Sequence, residues 1–140
     1  MAQSADSGIS TVMKKVLIVE DHADMRELLS WQIELMGFVA ITAKHGKEGV
    51  EKALSEKPHL VLMDIMMPGM DGRQTARALR ENPETRDIPI LAATALFRDS
   101  DLKSCLEAGC NAYIVKPFTF QELQAKLREL IPQTNGILPS

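Results

Sequence analysis

Five short runs rich in Val, Ile and Leu, at 16–20, 39–42, 60–64, 88–93 and 112–115, alternate along the chain with longer stretches whose apolar residues recur at helical spacing. Runs of this length are too short for helices, and their lack of strict polar alternation marks strands covered on both faces. Strand then helix, repeated five times, predicts an α/β chain of (βα)5 order. Right-handed crossovers turn that order into a doubly wound, five-stranded parallel sheet with helices on both sides.

The helical segments carry their own punctuation. Met25, Leu28, Leu29, Ile33 and Met36 share one face, and Gly37 follows where a left-handed residue ends a helix. Val50, Ala53 and Leu54 mark a second helix, closed before Pro58. Asp71-x-x-Gln74 is an N-terminal capping pattern for a third, which carries Ala76 and Leu79 with Ala78 at its margin. Leu102, Cys105 and Leu106 form a fourth, ended by Gly109. Thr119-x-x-Glu122 is a capping box for the fifth, striped by Leu123, Leu127, Leu130 and Ile131. These limits predict one domain over 14–131, a flexible N-terminal tail at 1–13 and a short C-terminal tail at 132–140.

Composition narrows the function. With 16 Lys+Arg against 19 Asp+Glu the net charge is −3, and no basic cluster is available to neutralise a series of phosphates, so neither nucleic acid nor an anionic membrane is an expected partner. No run of eighteen apolar residues offers a membrane-spanning helix, and the Ser/Ala-rich start lacks the charged and apolar regions of a secretion signal. Cys105 and Cys110 follow neither a C-x-x-C nor a His-interleaved spacing. They are expected to be reduced and structural, which fits a cytoplasmic location.

In an open α/β sheet ligands bind outside the carboxyl ends of the strands. Those ends read Glu20 and Asp21 after the first run, Asp64 closing the third, Thr94 after the fourth and Lys116 after the fifth. Three carboxylates, one hydroxyl and one ammonium are thus expected to share a cleft. Crowded carboxylates need protonation, Lys116 or a bound cation to relieve their repulsion. An all-oxygen site with room for water suits Mg2+, with Mn2+ as a substitute and zinc disfavoured.

The wording around these residues resembles the receiver domains of response regulators in two-component signalling. Val16-Leu-Ile-Val-Glu20-Asp21 carries the acidic pair, and Leu60-Val-Leu-Met-Asp64-Ile-Met-Met-Pro68-Gly-Met-Asp71-Gly72 carries the lone aspartate before its loop. Ile90-Leu-Ala-Ala-Thr94-Ala95 supplies the hydroxyl and Tyr113-Ile-Val-Lys116-Pro117-Phe118 the lysine. The resemblance spans 15–131 and implies a flavodoxin-like sheet of strand order 2-1-3-4-5.

Carried onto these positions, the resemblance implies that Asp64 is the phosphoacceptor, receiving its phosphoryl group from a sensor histidine kinase or histidine phosphotransfer protein. Glu20, Asp21, Asp64 and the Met66 backbone carbonyl would hold Mg2+, with Glu20 acting through water. Lys116 would pair with Asp64 at rest and with a phosphoryl oxygen after transfer, and Lys116-Pro117 is a candidate cis bond. Thr94 and Tyr113 would switch a face made of the fourth helix, fifth strand and fifth helix, which docks a downstream protein; a homodimer through the last two helices is left open. Such a chain is no conventional enzyme. It catalyses its own aspartyl phosphorylation and, with apolar Met66 and Leu96 at positions that tune phosphoryl lifetime in the family, its own slow dephosphorylation.

Plainer readings stand beside these. Asp71 reads as a helix cap, His22 as a solvated neighbour of the acidic pair, and His45 and His59 have no partner pattern. The cluster Met63, Met66, Met67 and Met70 reads as core and loop packing. Trp31 falls at the edge of the first helix's apolar face, where packing and partner contact are both open. A pseudo-receiver that binds without phosphorylation is the main alternative. An aspartate-nucleophile phosphatase would want an acid/base Asp where Met66 stands, a flavin site would want hydroxyls and glycines where the chain reads Glu20-Asp-His-Ala, and no Gly-x-Gly-x-x-Gly or Walker A motif occurs.

Overall fold

The computed structural model describes residues 13–67, 69–95 and 98–131. The expected tails, apart from Met13, lie outside the described residues, as do Pro68 and Leu96.

Five strands and five helices alternate: β1 (Lys15–Val19), α1 (Ala23–Leu35), β2 (Val39–Ala43), α2 (Gly46–Glu56), β3 (Leu60–Asp64), α3 (Gly72–Glu81), β4 (Ile90–Thr94), α4 (Asp99–Glu107), β5 (Ala112–Val115) and α5 (Phe120–Leu130). The strands form one parallel sheet of order β2-β1-β3-β4-β5, the doubly wound arrangement expected from the sequence. Chain order reverses at β1, which lies between β2 and β3, so a crevice opens above its carboxyl end.

Both sheet faces are buried, and the two-residue period of a strand sorts the continuous apolar runs between them. Leu17, Val19, Val61, Met63, Ile90 and Ala92 point toward Ala53 of α2, Ala76 and Leu79 of α3, Cys105 of α4 and Ala108 just after it. Val16, Ile18, Leu60, Leu62, Leu91 and Ala93 point the other way, onto Leu29 and Ile33 of α1 and Leu123 and Leu127 of α5. Both cysteines are free and buried, and burial pushes the Cys110 thiol up to about 12. The methionines divide: Met63 and Met67 are buried, Met70 is half-buried and Met66 is exposed.

Caps fall where the sequence placed them. Asp71 accepts from the Arg73 and Gln74 amides while Gln74 reaches back to the Asp71 amide, and Thr119 and Glu122 form the same reciprocal pair on α5. Gly37 and Gly109 leave their helices at φ +94 and +118. The Lys116-Pro117 bond is cis.

Three strands, β1, β2 and β4, differ from expectation by one or two residues at their ends. β1 stops at Val19, although the Glu20 amide still donates to the Ala43 carbonyl. β4 begins at Ile90 rather than at 88, because Pro89 has no amide to donate and the Ile88 carbonyl is taken by Arg80 Nη1 at 2.8 Å. Arg80 threads from α3 to the Gly109 carbonyl and Asn111 side chain as well, tying α3 to the β4 and β5 entrances.

Candidate functional site

At the carboxyl end of β1 the backbone turns sharply into α1, and Arg26 fastens that turn by donating from Nη1 to the Glu20 carbonyl at 2.9 Å and the Asp21 carbonyl at 3.4 Å. Glu20 is 1% exposed and Asp21 half-buried. Asp64, 7% exposed, ends β3 beside them, and its Oδ1 accepts from the Met66 amide at 3.2 Å. Close packing holds Asp64 from behind: a Cβ on Gly72 would lie 2.9 Å from the Asp64 carbonyl and 2.7 Å from Ile65 Cα, so only glycine lets α3 start here.

Lys116 arrives from β5, its amide bonded to the Thr94 carbonyl at 2.8 Å. Its Nζ lies 3.5 Å from Glu20 Oε1 and 3.6 Å from Asp64 Oδ2, so one ammonium is shared between two carboxylates. The pairing with Asp64 is one part of a three-membered arrangement that includes Glu20. Burial is the main force on Asp64 and pushes its pKa above the usual carboxylate value, opposed by Lys116 and reinforced by the charges of Glu20 and Asp21.

Thr94, fully buried, ends β4 opposite Val115, and Tyr113 pairs with Ala92 two residues earlier. Ala92 and Tyr113 both belong to the face covered by α4, and the strand period puts Thr94 on that face too. Tyr113 is half-buried there.

His22 is exposed, as its sequence reading has it, and also touches the acidic pair. Its ring is 74% exposed, yet Nδ1 lies 3.2 Å from Glu20 Oε2 and 3.3 Å from Asp21 Oδ1, while its amide donates to Glu20 Oε2 at 3.1 Å. Adjacency to the acidic pair was the available signal. The other histidines also have partners: Nδ1 of His45 caps α2 by accepting from the Glu48 amide, and Nδ1 of His59 accepts from the Lys15 amide at 3.0 Å.

Donor atoms of Glu20, Asp21, His22 and Asp64 all lie within 4.8 Å of one another. Asp21 Oδ1 is buried and accepts no hydrogen bond from the described residues; His22 Nδ1 is near it but outside hydrogen-bond geometry. An orphaned oxygen in a ring of carboxylates fits a hard divalent cation.

A shallow cleft lined by Glu20, His22, Ala23, Asp24, Met25 and Lys116 leads to this cluster. Beside it runs an apolar groove that includes Met25, Leu28, Leu29, Ala95, Pro117 and Phe118. On the outer surface of α1 Trp31 is 60% exposed, flanked by exposed Leu28 and Leu35, so packing does not account for this ring. Among the described residues no helix is long and apolar enough to cross a membrane.

The model of the response regulator receiver domain matches residues 16–128. A probable transcriptional regulator, ycf27 of Guillardia theta, is 38% identical over 122 residues, which are 87% of this chain and 47% of that protein. The chain thus spans about half the length of the curated relatives it matches. The chemotaxis protein CheY4 of Vibrio cholerae superposes with a TM-score of 0.81 at 28% identity, covering 85% of this chain and 99% of that one. The receiver domain of the sensor histidine kinase PA1611 from Pseudomonas aeruginosa, solved with a magnesium ion coordinated in its active-site cleft, gives 0.80 at 31% identity over 86% and 98% of the two chains.

Proposed function

The chain belongs to the response regulator receiver domain family, and on that premise we propose that it takes a phosphoryl group onto Asp64 from a phosphohistidine of a sensor kinase or phosphotransfer protein. The observation that carries this reading is the buried Asp64 carboxylate with the Lys116 ammonium 3.6 Å from it. The P–N bond of the donor breaks as a P–O bond to Asp64 forms, and the imidazole leaves. A carboxylate is a weak nucleophile, so the residues act by positioning and by neutralising charge.

Gly72 packing and the Met66 amide fix the Asp64 carboxylate in one orientation. Lys116 is poised to exchange its contact with Asp64 for one with a phosphoryl oxygen. Asp21, Asp64 and the Met66 carbonyl would hold Mg2+, with Glu20 through water and Mn2+ as a substitute. When bound, that cation supplies charge neutralisation at the phosphoryl oxygens.

Thr94 and Tyr113 carry the state of Asp64 outward. A hydroxyl drawn toward the phosphoryl group frees space on the α4 side of the sheet, into which the half-buried Tyr113 ring turns. The face of α4, β5 and α5 is thereby biased between two arrangements and docks a downstream protein. The donor reaches Asp64 over the apolar groove between α1 and Pro117–Phe118, with Leu28, Trp31 and Leu35 extending its footprint.

Intact mass after incubation with acetyl phosphate and Mg2+ tests the reading. One phosphoryl adduct is expected, absent with EDTA and absent in Asp64→Asn. No adduct from acetyl phosphate or from a panel of histidine kinases would replace this reading with a pseudo-receiver.

A further inference from the structure

We propose that His22 is a nitrogen ligand in the acidic cleft, so that this receiver prefers a divalent first-row transition cation over Mg2+. The proposal rests on the reading of the cleft as a cation site and names its specificity.

Two carboxylate oxygens converge on one imidazole nitrogen: Glu20 Oε2 at 3.2 Å and Asp21 Oδ1 at 3.3 Å from His22 Nδ1. That nitrogen carries at most one proton, which serves one oxygen at a time. Asp21 Oδ1 is left buried with no hydrogen bond from the described residues, an arrangement that costs free energy as it stands. A cation bound by Asp21 Oδ1 and His22 Nδ1, with Glu20 Oε2 engaged through one of its waters, removes the conflict. Donor separations around an ion with bonds near 2.1 Å are roughly 3.0–3.4 Å for octahedral to tetrahedral geometry. The 3.3 Å between Asp21 Oδ1 and His22 Nδ1 falls within that span.

The imidazole is free to adopt the needed tautomer, since the ring is 74% exposed and water can serve Nε2–H while Nδ1 presents its lone pair. The ring is also local to the site. His22 is the N-cap residue of α1 and its amide is bonded to Glu20 Oε2, so the backbone that positions Glu20 positions the imidazole. Imidazole nitrogen suits Co2+, Ni2+ and Zn2+, whereas Mg2+ takes oxygen ligands and keeps its waters. One nitrogen among carboxylates therefore shifts preference along the transition series without abolishing Mg2+ binding.

The test uses the full chain stripped of metal, titrated calorimetrically with Co2+ and with Mg2+, beside His22→Ala and His22→Asn. Asn is a strong N-cap, so the second variant keeps the start of α1 while removing the imidazole. The expected result is a loss of Co2+ affinity of about tenfold or more in both variants with Mg2+ affinity within about twofold of wild type. Pulsed electron paramagnetic resonance of the wild type loaded with Mn2+ should show imidazole nitrogen coupling. Equal Co2+ to Mg2+ selectivity in all three chains, or no nitrogen coupling, overturns the proposal. Mg2+-dependent phosphorylation of wild-type Asp64 separates the two readings: an adduct with unchanged selectivity defeats only the role of His22, and a selectivity difference with no adduct defeats only the phosphoacceptor.

Discussion

Lys116 Nζ stands 3.6 Å from Asp64 Oδ2, joining the ends of two strands that are not neighbours in the sheet. The same ammonium is 3.5 Å from Glu20 Oε1, so it balances a cluster rather than a single partner. Its removal should therefore be felt at the reacting carboxylate. Lys116→Ala is expected to slow formation of the acetyl phosphate adduct about 100-fold, the usual scale for losing a preorganised charge stabiliser. Time-resolved intact mass checks this, and a rate within about twofold of wild type contradicts the assigned role.

Burial raises the Asp64 pKa above its ordinary 3.8. In metal-free protein the native state keeps this proton at pH values where the unfolded chain has released it. Ionised Asp64 thus costs stability above its folded-state pKa; the cost shrinks as pH falls through that value and is gone below 3.8. Asp64→Asn should raise the urea-unfolding free energy of EDTA-treated protein at neutral pH by on the order of 1 kcal/mol. The gain should fade on acidification, and a destabilised variant would refute this view of the cluster.

His59 behaves in the opposite sense. Burial first, then Lys14 and Lys15, hold its pKa below 6.5, and its Nδ1 lone pair accepts the Lys15 amide. Its contribution is present above pH 6.5 and is lost as pH falls from there through the folded-state pKa, because the unfolded chain takes up the proton first. Urea midpoints at about pH 7.5 and about pH 5.5 should fall further for wild type than for His59→Gln, which keeps an acceptor but does not titrate. Identical falls would refute it.

Met66, two residues beyond Asp64, is 58% accessible, and its side chain offers no group that orients water. The phosphorylated chain should lose its adduct slowly, and Met66→Asn should shorten the half-life several-fold by supplying a polar group. Decay of the wild-type adduct within seconds in Mg2+ contradicts this.

Much of this was legible in the sequence because it depends on local chemistry. Capping at Asp71 and Thr119, the helix exits at Gly37 and Gly109, and the buried strands follow from residue type and period alone. The strand-end residues were legible for a topological reason: parallel order brings Glu20, Asp21, Asp64, Thr94 and Lys116 to one edge whatever the details.

What stayed hidden depends on how side chains cross between elements. The grip of Arg26 on the β1–α1 turn, the reach of Arg80 to two loops and the acceptance of the Lys15 amide by His59 join positions with no periodic relation. The approach of His22 to Glu20 and Asp21 required the turn geometry at the start of α1. Chain order predicts neighbours in the sheet; it does not predict which rotamer fills a turn.

The central claim is that Asp64 itself receives the phosphoryl group, and borohydride reduction of the adduct followed by peptide mass mapping tests it most directly. Reduction of an aspartyl phosphate converts that residue to homoserine, so the account predicts homoserine at position 64 and nowhere else. Homoserine at position 21, a phosphoryl group on His22, or no reducible adduct would contradict it.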